Sequence, residues 1–479
     1  MNTPIKSELL RNTIFLSSAQ VGGRVIRFVY MLAIARLLGP VETGIYLYGI
    51  ALYLGFIGIG HFGQNIFLAQ RLGKHPGTPN TVLHHSLTLT LVATLTIAGV
   101  LTLFVWGSES NLTMRLTILC FVGALVARVI ALWVRAVYVA MERPAWIPRY
   151  ELIFRGLEAL TGVVVLFSGG GLLAISFLHF LFWVIEAAFA LHKLLRDMPG
   201  ALGLGWKWEY LRKITGVSAI FLASATAMAL FPQISIILLR NLQANSVLVG
   251  QFGIAMQFMT TMMIVPIAVT QAFLPRLSRS FSRGDGGRDL ITVVKLVGLL
   301  ALAGAIAAAA YGPWFITLAL GPEYAESADL FRWLCWVYTP YAIAVLLGQC
   351  LNVIGGRGKG VIIMVLMLSI HAALLMIYVD QSPVIAAIGS MLVAALIGML
   401  NALHQVTHKL EIQGHLWWLK FILVITATYV VFESGWAPLT ITAPVALVVG
   451  TVLTFTLGVF DTADVAAIRR VLGRNTIDA

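Results

Sequence analysis

Five arginines stand inside long apolar runs: Arg24, Arg27, Arg128, Arg135 and Arg155. A charge at bilayer depth costs about 2.5–3.5 kcal/mol on insertion scales, so such residues mostly face a polar interior. At 100° per residue, Ser17, Gln20, Arg24 and Arg27 fall within an arc of about 80°, one stripe of one helix. Arg128 and Arg135, seven residues apart, share a face of another. The first run holds no carboxylate that could neutralise its arginines. Guanidinium groups lining a partly desolvated cavity are fork-shaped donors suited to a phosphate-like anion.

Arg155 has a different setting. Glu151 and Glu158 flank it at i−4 and i+3, the spacing of a local charge pair, so a structural role is expected. Glu151 and Glu158, together with Glu186 on the face it shares with His179, are candidates for coupling to H+ or Na+. Two other patterns lose their meaning in context. Gly58-Ile59-Gly60-His61-Phe62-Gly63 has dinucleotide-fingerprint spacing but lies within an apolar helix without a preceding strand, where glycines serve close packing. His404 and His408 have zinc spacing but lack a third ligand nearer than His415. Cys120, Cys335 and Cys350 lie in apolar runs and are expected as small core residues. No cofactor and no metal is implied.

The elements that must hold these residues follow from composition. Of 479 residues, 59% are hydrophobic and 11% charged, against roughly 25% charged in soluble domains. Apolar runs near the ~20 residues needed to cross a bilayer recur throughout. A soluble enzyme, a nucleic-acid-binding module and a disordered scaffold are excluded. The expected class is an all-α integral membrane protein of about 14 transmembrane helices, at 12–38, 44–70, 82–106, 113–141, 149–167, 172–194, 212–239, 247–275, 290–311, 327–354, 360–379, 384–407, 415–432 and 439–460. Pro232 and Pro266 supply kinks in the two longest runs.

The net charge of +12 sets topology rather than nucleic-acid binding. With the N-terminus inside, 23 of the 32 basic residues collect on the inner side and at most four on the outer. Both termini are therefore expected in the cytoplasm of a multi-pass protein. The longest inner connection, about 195–211, is too short for a catalytic domain, which argues against a membrane-bound glycosyltransferase or polymerase. The tail from Asp461 is expected as a basic amphipathic helix on the membrane surface.

An internal repeat organises the spans. Phe67-Leu68-Ala69-Gln70-Arg71-Leu72 is echoed by Phe273-Leu274-Pro275-Arg276-Leu277, and a shift of 206 residues superposes Gly44 on Gly250. Six spans separate the copies, so both enter the membrane from the same side. The layout implied is a six-helix lobe at 1–200, a second at 201–410, two further helices at 411–460 and a tail at 461–479. The two lobes would be related by a pseudo-two-fold axis along the membrane normal, as in repeat-built transporters.

The N-terminal region resembles a known family. Asn12, Ala35-Arg36-Leu37-Leu38-Gly39-Pro40, Gly44-Ile45-Tyr46, Gly60-x-x-Gly63 and Gln70-Arg71 are similar to the start of bacterial O-antigen-type polysaccharide flippases. These form a branch of the multidrug/oligosaccharidyl-lipid/polysaccharide exporter superfamily. The resemblance implies a flippase moving an undecaprenyl-pyrophosphate-linked oligosaccharide across the bacterial inner membrane by alternating access. Its partners would be the polyprenyl-pyrophosphate substrate, membrane lipids and the polysaccharide polymerase machinery. Arg24, Arg27, Arg128 and Arg135 then bind the pyrophosphate, and Gln20, Gln64, Asn65, Gln257 and Gln271 meet sugar hydroxyls. The alternatives are a lipid II-type precursor or an organic cation in a multidrug antiporter. Cationic cargo would need buried carboxylates where this chain has arginines.

Overall fold

The computed structural model describes residues 4–72, 79–141, 146–243, 245–283, 286–354, 357–410, 416–460 and 464. Among the described residues there are sixteen α-helices, one short 3-10 turn and no strand. Ten helices are long and apolar enough to cross a membrane, or eleven if one bent pair counts as a single span. Leu103, Phe167 and Ile385 are among the large apolar side chains that point outward, more than 70% exposed. Such a surface suits lipid, not water. The all-α membrane class read from the sequence is the class observed.

The differences from fourteen spans have physical causes. Helix α1 (Pro4–His61) runs for 58 residues, about 87 Å of helix and far more than one bilayer. It bends at Gly39, whose φ of 74° is left-handed, and Pro40 follows without an amide donor. The expected run at 44–70 breaks where Phe62 and Gly63 adopt φ of 50° and 65°, and α2 (Gln64–Leu72) continues it. Helix α5 (Ile147–Phe167) holds four charges, Arg149, Glu151, Arg155 and Glu158. A later helix, Leu416–Phe432, has only 17 residues.

The chain divides into two compact units. One comprises residues 1–254 with 375–383, the other 255–374 with 384–479. The first unit contains α1, α2, α3 (Pro79–Ser108), α4 (Leu112–Ala140), α5, α6 (Leu172–Asp197), α7 (Trp208–Leu230) and α8 (Ile234–Gln243). Asn111 caps α4 by accepting the Met114 amide at 3.2 Å. The glycine run 169–171 separates α5 from α6, with Gly169 at φ 85°. Helices α7 and α8 meet at 59° around Phe231-Pro232-Gln233. Close helix approach explains the glycine pattern near residue 60. A Cβ on Gly58 would stand 3.1 Å from the Thr226 backbone, and one on Gly60 2.9 Å from Val129.

The second unit contains most of α9 (Ser246–Met262), then α10 (Ile264–Arg283), α11 (Gly286–Leu320), α12 (Ala325–Val353), α13 (Arg357–Tyr378), α14 (Pro383–Lys409), α15 (Leu416–Phe432) and α16 (Leu439–Thr456). Helices α9 and α10 part at Met263. Pro266 has no amide to offer the carbonyl of Met262 four residues earlier. The Tyr338 hydroxyl donates to that carbonyl instead, at 3.1 Å. The kink is thus satisfied by a neighbouring helix, as apolar surroundings require.

Polar contacts join helix ends that the charge-based expectation places on one side. Arg240 reaches Glu109 at 2.8 Å, Arg332 reaches Glu433 at 2.5 Å and Gln243 lies 3.4 Å from Asp380. All six residues belong to ends assigned to the outer side. Lys295 meets Asp464 at 2.9 Å, the Tyr138 hydroxyl donates to Asp197 at 2.7 Å and His84 meets the Gly200 carbonyl at 2.9 Å. These ends were assigned to the inner side. Each contact joins ends placed on the same side.

Candidate functional site

A cavity of about 240 Å³ opens within the first unit, and four helices supply its lining. Helix α1 gives Gly23, Arg24 and Arg27, and α4 gives Arg128, Leu132 and Arg135. Helix α5 gives Tyr150, Glu151, Phe154 and Arg155, and α6 gives Trp183, Glu186 and Phe189. Within each helix the main spacings are three, four or seven, so one face of each turns inward. Gly162 lets α5 lie close to α1, because a Cβ there would stand 2.0 Å from the Tyr30 hydroxyl. All five arginines singled out in the sequence converge here, from segments more than a hundred residues apart.

Their electrostatic states differ. Arg155 donates to both Glu158 and Glu186 and is 3% exposed at its side chain, against 5% and 10% for the two carboxylates. Glu158 also meets His179 Nδ1 at 2.5 Å. The indole of Trp183 donates to His179 Nε2 at 3.2 Å. Indole nitrogen can only donate, so Nε2 accepts and Nδ1 carries the hydrogen given to Glu158. Arg155, Glu158, Glu186, His179 and Trp183 form one closed network. The expected partner Glu151 is corrected: it lies 2.6 Å from Arg135 of α4, both side chains about one-third exposed. Glu186, on α6 and seven residues beyond His179, replaces it beside Arg155, which local spacing in the sequence could not reveal.

Three arginines remain without a carboxylate among the described residues. Arg24 and Arg27 are exposed toward the open cavity. Arg128 donates to the Tyr53 hydroxyl at 2.7 Å. Its guanidinium carbon lies 5.1 Å from the Tyr53 ring centre and 4.9 Å from that of Trp183. Its buried Nε has no partner among the described residues. Arg155 lies 3.9 Å from the same Trp183 ring. Cations held over aromatic faces keep their charge while their remaining N–H groups stay free for another acceptor. The cavity therefore combines two arginines in ion pairs with three that have no carboxylate within ion-pair distance among the described residues.

An aromatic wall faces them, and the sequence reading missed it. Trp146, Tyr150 and Phe154, at i, i+4 and i+8, pack around Phe189, with the Tyr150 and Phe189 ring centres 4.4 Å apart. The indole nitrogen of Trp146 is buried without a partner among the described residues. The signal was the four-residue aromatic spacing beside Glu151 and Arg155.

The amide residues fare differently from the arginines. Gln64 is fully buried and accepts from Ser86 at 2.7 Å, a bond joined by Trp133, so it belongs to inter-helix packing. Gln257 and Gln271 lie in the second unit and do not line this cavity. The side chains of Gln20 and Asn65 fall outside the described residues. Among the described residues no group of three or more His, Cys, Asp or Glu has metal-binding geometry.

Comparison with known proteins locates this arrangement. The sequence model of a family described as "Polysaccharide biosynthesis protein" matches residues 9–281, more than half the chain and nearly all of the first unit. No curated protein matches the sequence. Among solved structures, the chain is similar to the lipid II flippase MurJ in an inward closed conformation, with a TM-score of 0.68 at 11% identity, covering 96% of this chain and 100% of that one. It is also similar to the MATE multidrug transporter DinF-BH, with a TM-score of 0.60 at 15% identity over 86% and 98% of the two chains. An inward-facing MATE family transporter of the MOP superfamily gives 0.55 at 16% identity, over 83% and 96%. At these identities the likeness is one of fold.

Proposed function

Because the chain belongs to the polysaccharide biosynthesis protein family, we propose that it is a flippase for an undecaprenyl-pyrophosphate-linked oligosaccharide. It carries the lipid-linked glycan from the cytoplasmic to the periplasmic leaflet of the bacterial inner membrane, by alternating access, for surface polysaccharide assembly. The observation that carries this reading is the cavity's charge: Arg24, Arg27 and Arg128 have no carboxylate partner among the described residues. A diphosphate diester brings two negative charges and many acceptor lone pairs, and arginine forks match both. The aromatic wall of Trp146, Tyr150 and Phe154 gives an apolar, flat surface beside the cations, suited to the faces of sugar rings.

Organic cations fit the cavity poorly. Glu151, Glu158 and Glu186 are each bound to an arginine, so a cation entering the cavity would have to displace a guanidinium from its carboxylate. A lipid II-type precursor shares the diphosphate and differs in its glycan, so it is the second reading, favoured by the likeness to MurJ. A proton or sodium gradient would enter through Glu151, Glu158 or Glu186, the acidic groups in or directly behind the cavity. On the periplasmic side the product would pass to a polysaccharide polymerase. The test is translocation of a labelled polyprenyl-pyrophosphate-linked oligosaccharide in proteoliposomes, run beside lipid II and a cationic dye. Transport of the dye alone would refute the reading.

A further inference from the structure

We propose that Glu151 is a displaceable stand-in for the substrate's phosphate, holding the Arg135 guanidinium until an incoming diphosphate takes its place. The inference rests on the anion-binding reading of the cavity and adds a selectivity device to it. Two kinds of ion pair line the same space. Arg155 is held by two carboxylates at 3–10% exposure, on top of the Trp183 ring. Arg135 is held by Glu151 alone among the described residues, at 2.6 Å, with 31% and 33% exposure. A pair of the first kind cannot open without stranding a buried charge. One of the second kind is worth little and exchanges partners easily.

Carboxylate and phosphate oxygens compete for the same fork of N–H donors. While Glu151 occupies Arg135, a small anion entering the cavity must either forgo that arginine or expel the carboxylate. A diphosphate that also engages Arg24, Arg27 and Arg128 can offset the exchange, whereas a lone small anion cannot. Specificity then comes from a built-in competitor as well as from attraction. The arrangement also joins α4 to α5 in the unloaded cavity and releases that tie when substrate arrives, so binding changes how the two helices are held.

The experiment titrates inorganic pyrophosphate into the purified full-length protein in nanodiscs, by calorimetry and by the change in intrinsic tryptophan emission, to which Trp146 and Trp183 of the cavity contribute. Glu151→Gln should bind pyrophosphate about two- to fivefold more tightly than the wild type, the range expected for removing a partly exposed ionic competitor. Glu151→Asp should also gain, because it keeps the negative charge but retracts it from Arg135 by one methylene. Unchanged or weaker binding by Glu151→Gln overturns the proposal. A gain in Glu151→Gln with Glu151→Asp at the wild-type value assigns the effect to net charge and overturns it equally. Wild-type binding with a flat mutant response defeats the stand-in role alone. Absence of binding in every variant defeats it together with the anion-site reading.

Discussion

Gly44 of α1 and Gly250 of α9 touch backbone to backbone, and the contact is reciprocal. A Cβ on Gly44 would stand 2.0 Å from the Ser246 carbonyl oxygen, and one on Gly250 2.1 Å from that of Pro40. The shift of 206 residues that equates Gly44 with Gly250 also equates Pro40 with Ser246. It pairs Leu47 with Gly253 as well, and a Cβ on Gly253 would meet Leu47 at 2.6 Å. Residues that the 206-residue shift places in register therefore lie against each other.

Gly44→Ala and Gly250→Ala should each lower membrane abundance and thermal stability. Overpacking typically costs about 1–3 kcal/mol, and here the obstacle is backbone, which cannot rotate away. Gly99, where an added Cβ meets nothing within 4 Å, is the control, and its change to Ala should be neutral or mildly stabilising. Thermal unfolding in detergent separates the cases. Equal melting of Gly44→Ala and Gly99→Ala would refute the close approach.

The buried network makes a second prediction. Glu186→Gln leaves Arg155 short of one of its two carboxylates, and Arg155→Ala strands both Glu158 and Glu186. Breaking a buried pair can cost about 3–5 kcal/mol, so both variants should be depleted in membranes. Exchanging the two residues, Arg155→Glu with Glu186→Arg, should recover part of the loss. Exchanging Arg155 with Glu151 should not, since Glu151 lies beside Arg135. Immunoblots of membrane fractions decide between the two partners.

How much of this was visible beforehand depends on the range of the interaction. The arginines announced themselves because a charge in an apolar run is costly wherever the helix goes. The breaks at 168–171 and at Pro232 were legible because glycine and proline act locally. The partner of Arg155 was half legible: Glu158 sits on the same turn, but Glu186 arrives from α6 through packing. The break at Phe62-Gly63 was obscured by the apolar residues around it. Gln64 reads as a sugar contact because polarity in a span signals function, and here a neighbouring helix supplies Ser86.

Sidedness yields a third prediction. Cysteines replacing Asn245 and Asp380 should react with an impermeant thiol reagent applied from the periplasm, and cysteines replacing Lys207 and Lys359 should not. The expectation follows from the bias of basic residues toward one side, and is consistent with the contacts of Gln243 with Asp380 and of His84 with Gly200. Inverted labelling at any two sites would contradict the assigned alternation.

A fourth concerns the aromatic wall. Tyr150→Ala should weaken use of the glycan-bearing substrate while leaving inorganic pyrophosphate affinity near the wild-type value, since the proposed function sets the ring against sugar and the arginines against phosphate. Equal losses for both ligands would show that Tyr150 merely supports the cavity.

Arg24 and Arg27 are proposed to hold the diphosphate of a lipid-linked glycan. Proteoliposomes containing equal amounts of wild type, Arg24→Ala, Arg27→Ala and the two Lys variants should be loaded with a labelled polyprenyl-pyrophosphate-linked oligosaccharide. Flipping is then read from its accessibility in the outer leaflet. Transport should be lost in both Ala variants with normal melting of the protein, and partly kept in the Lys variants, which retain the charge but lose the fork. Wild-type flipping by Arg24→Ala and Arg27→Ala at equal incorporation would contradict that role.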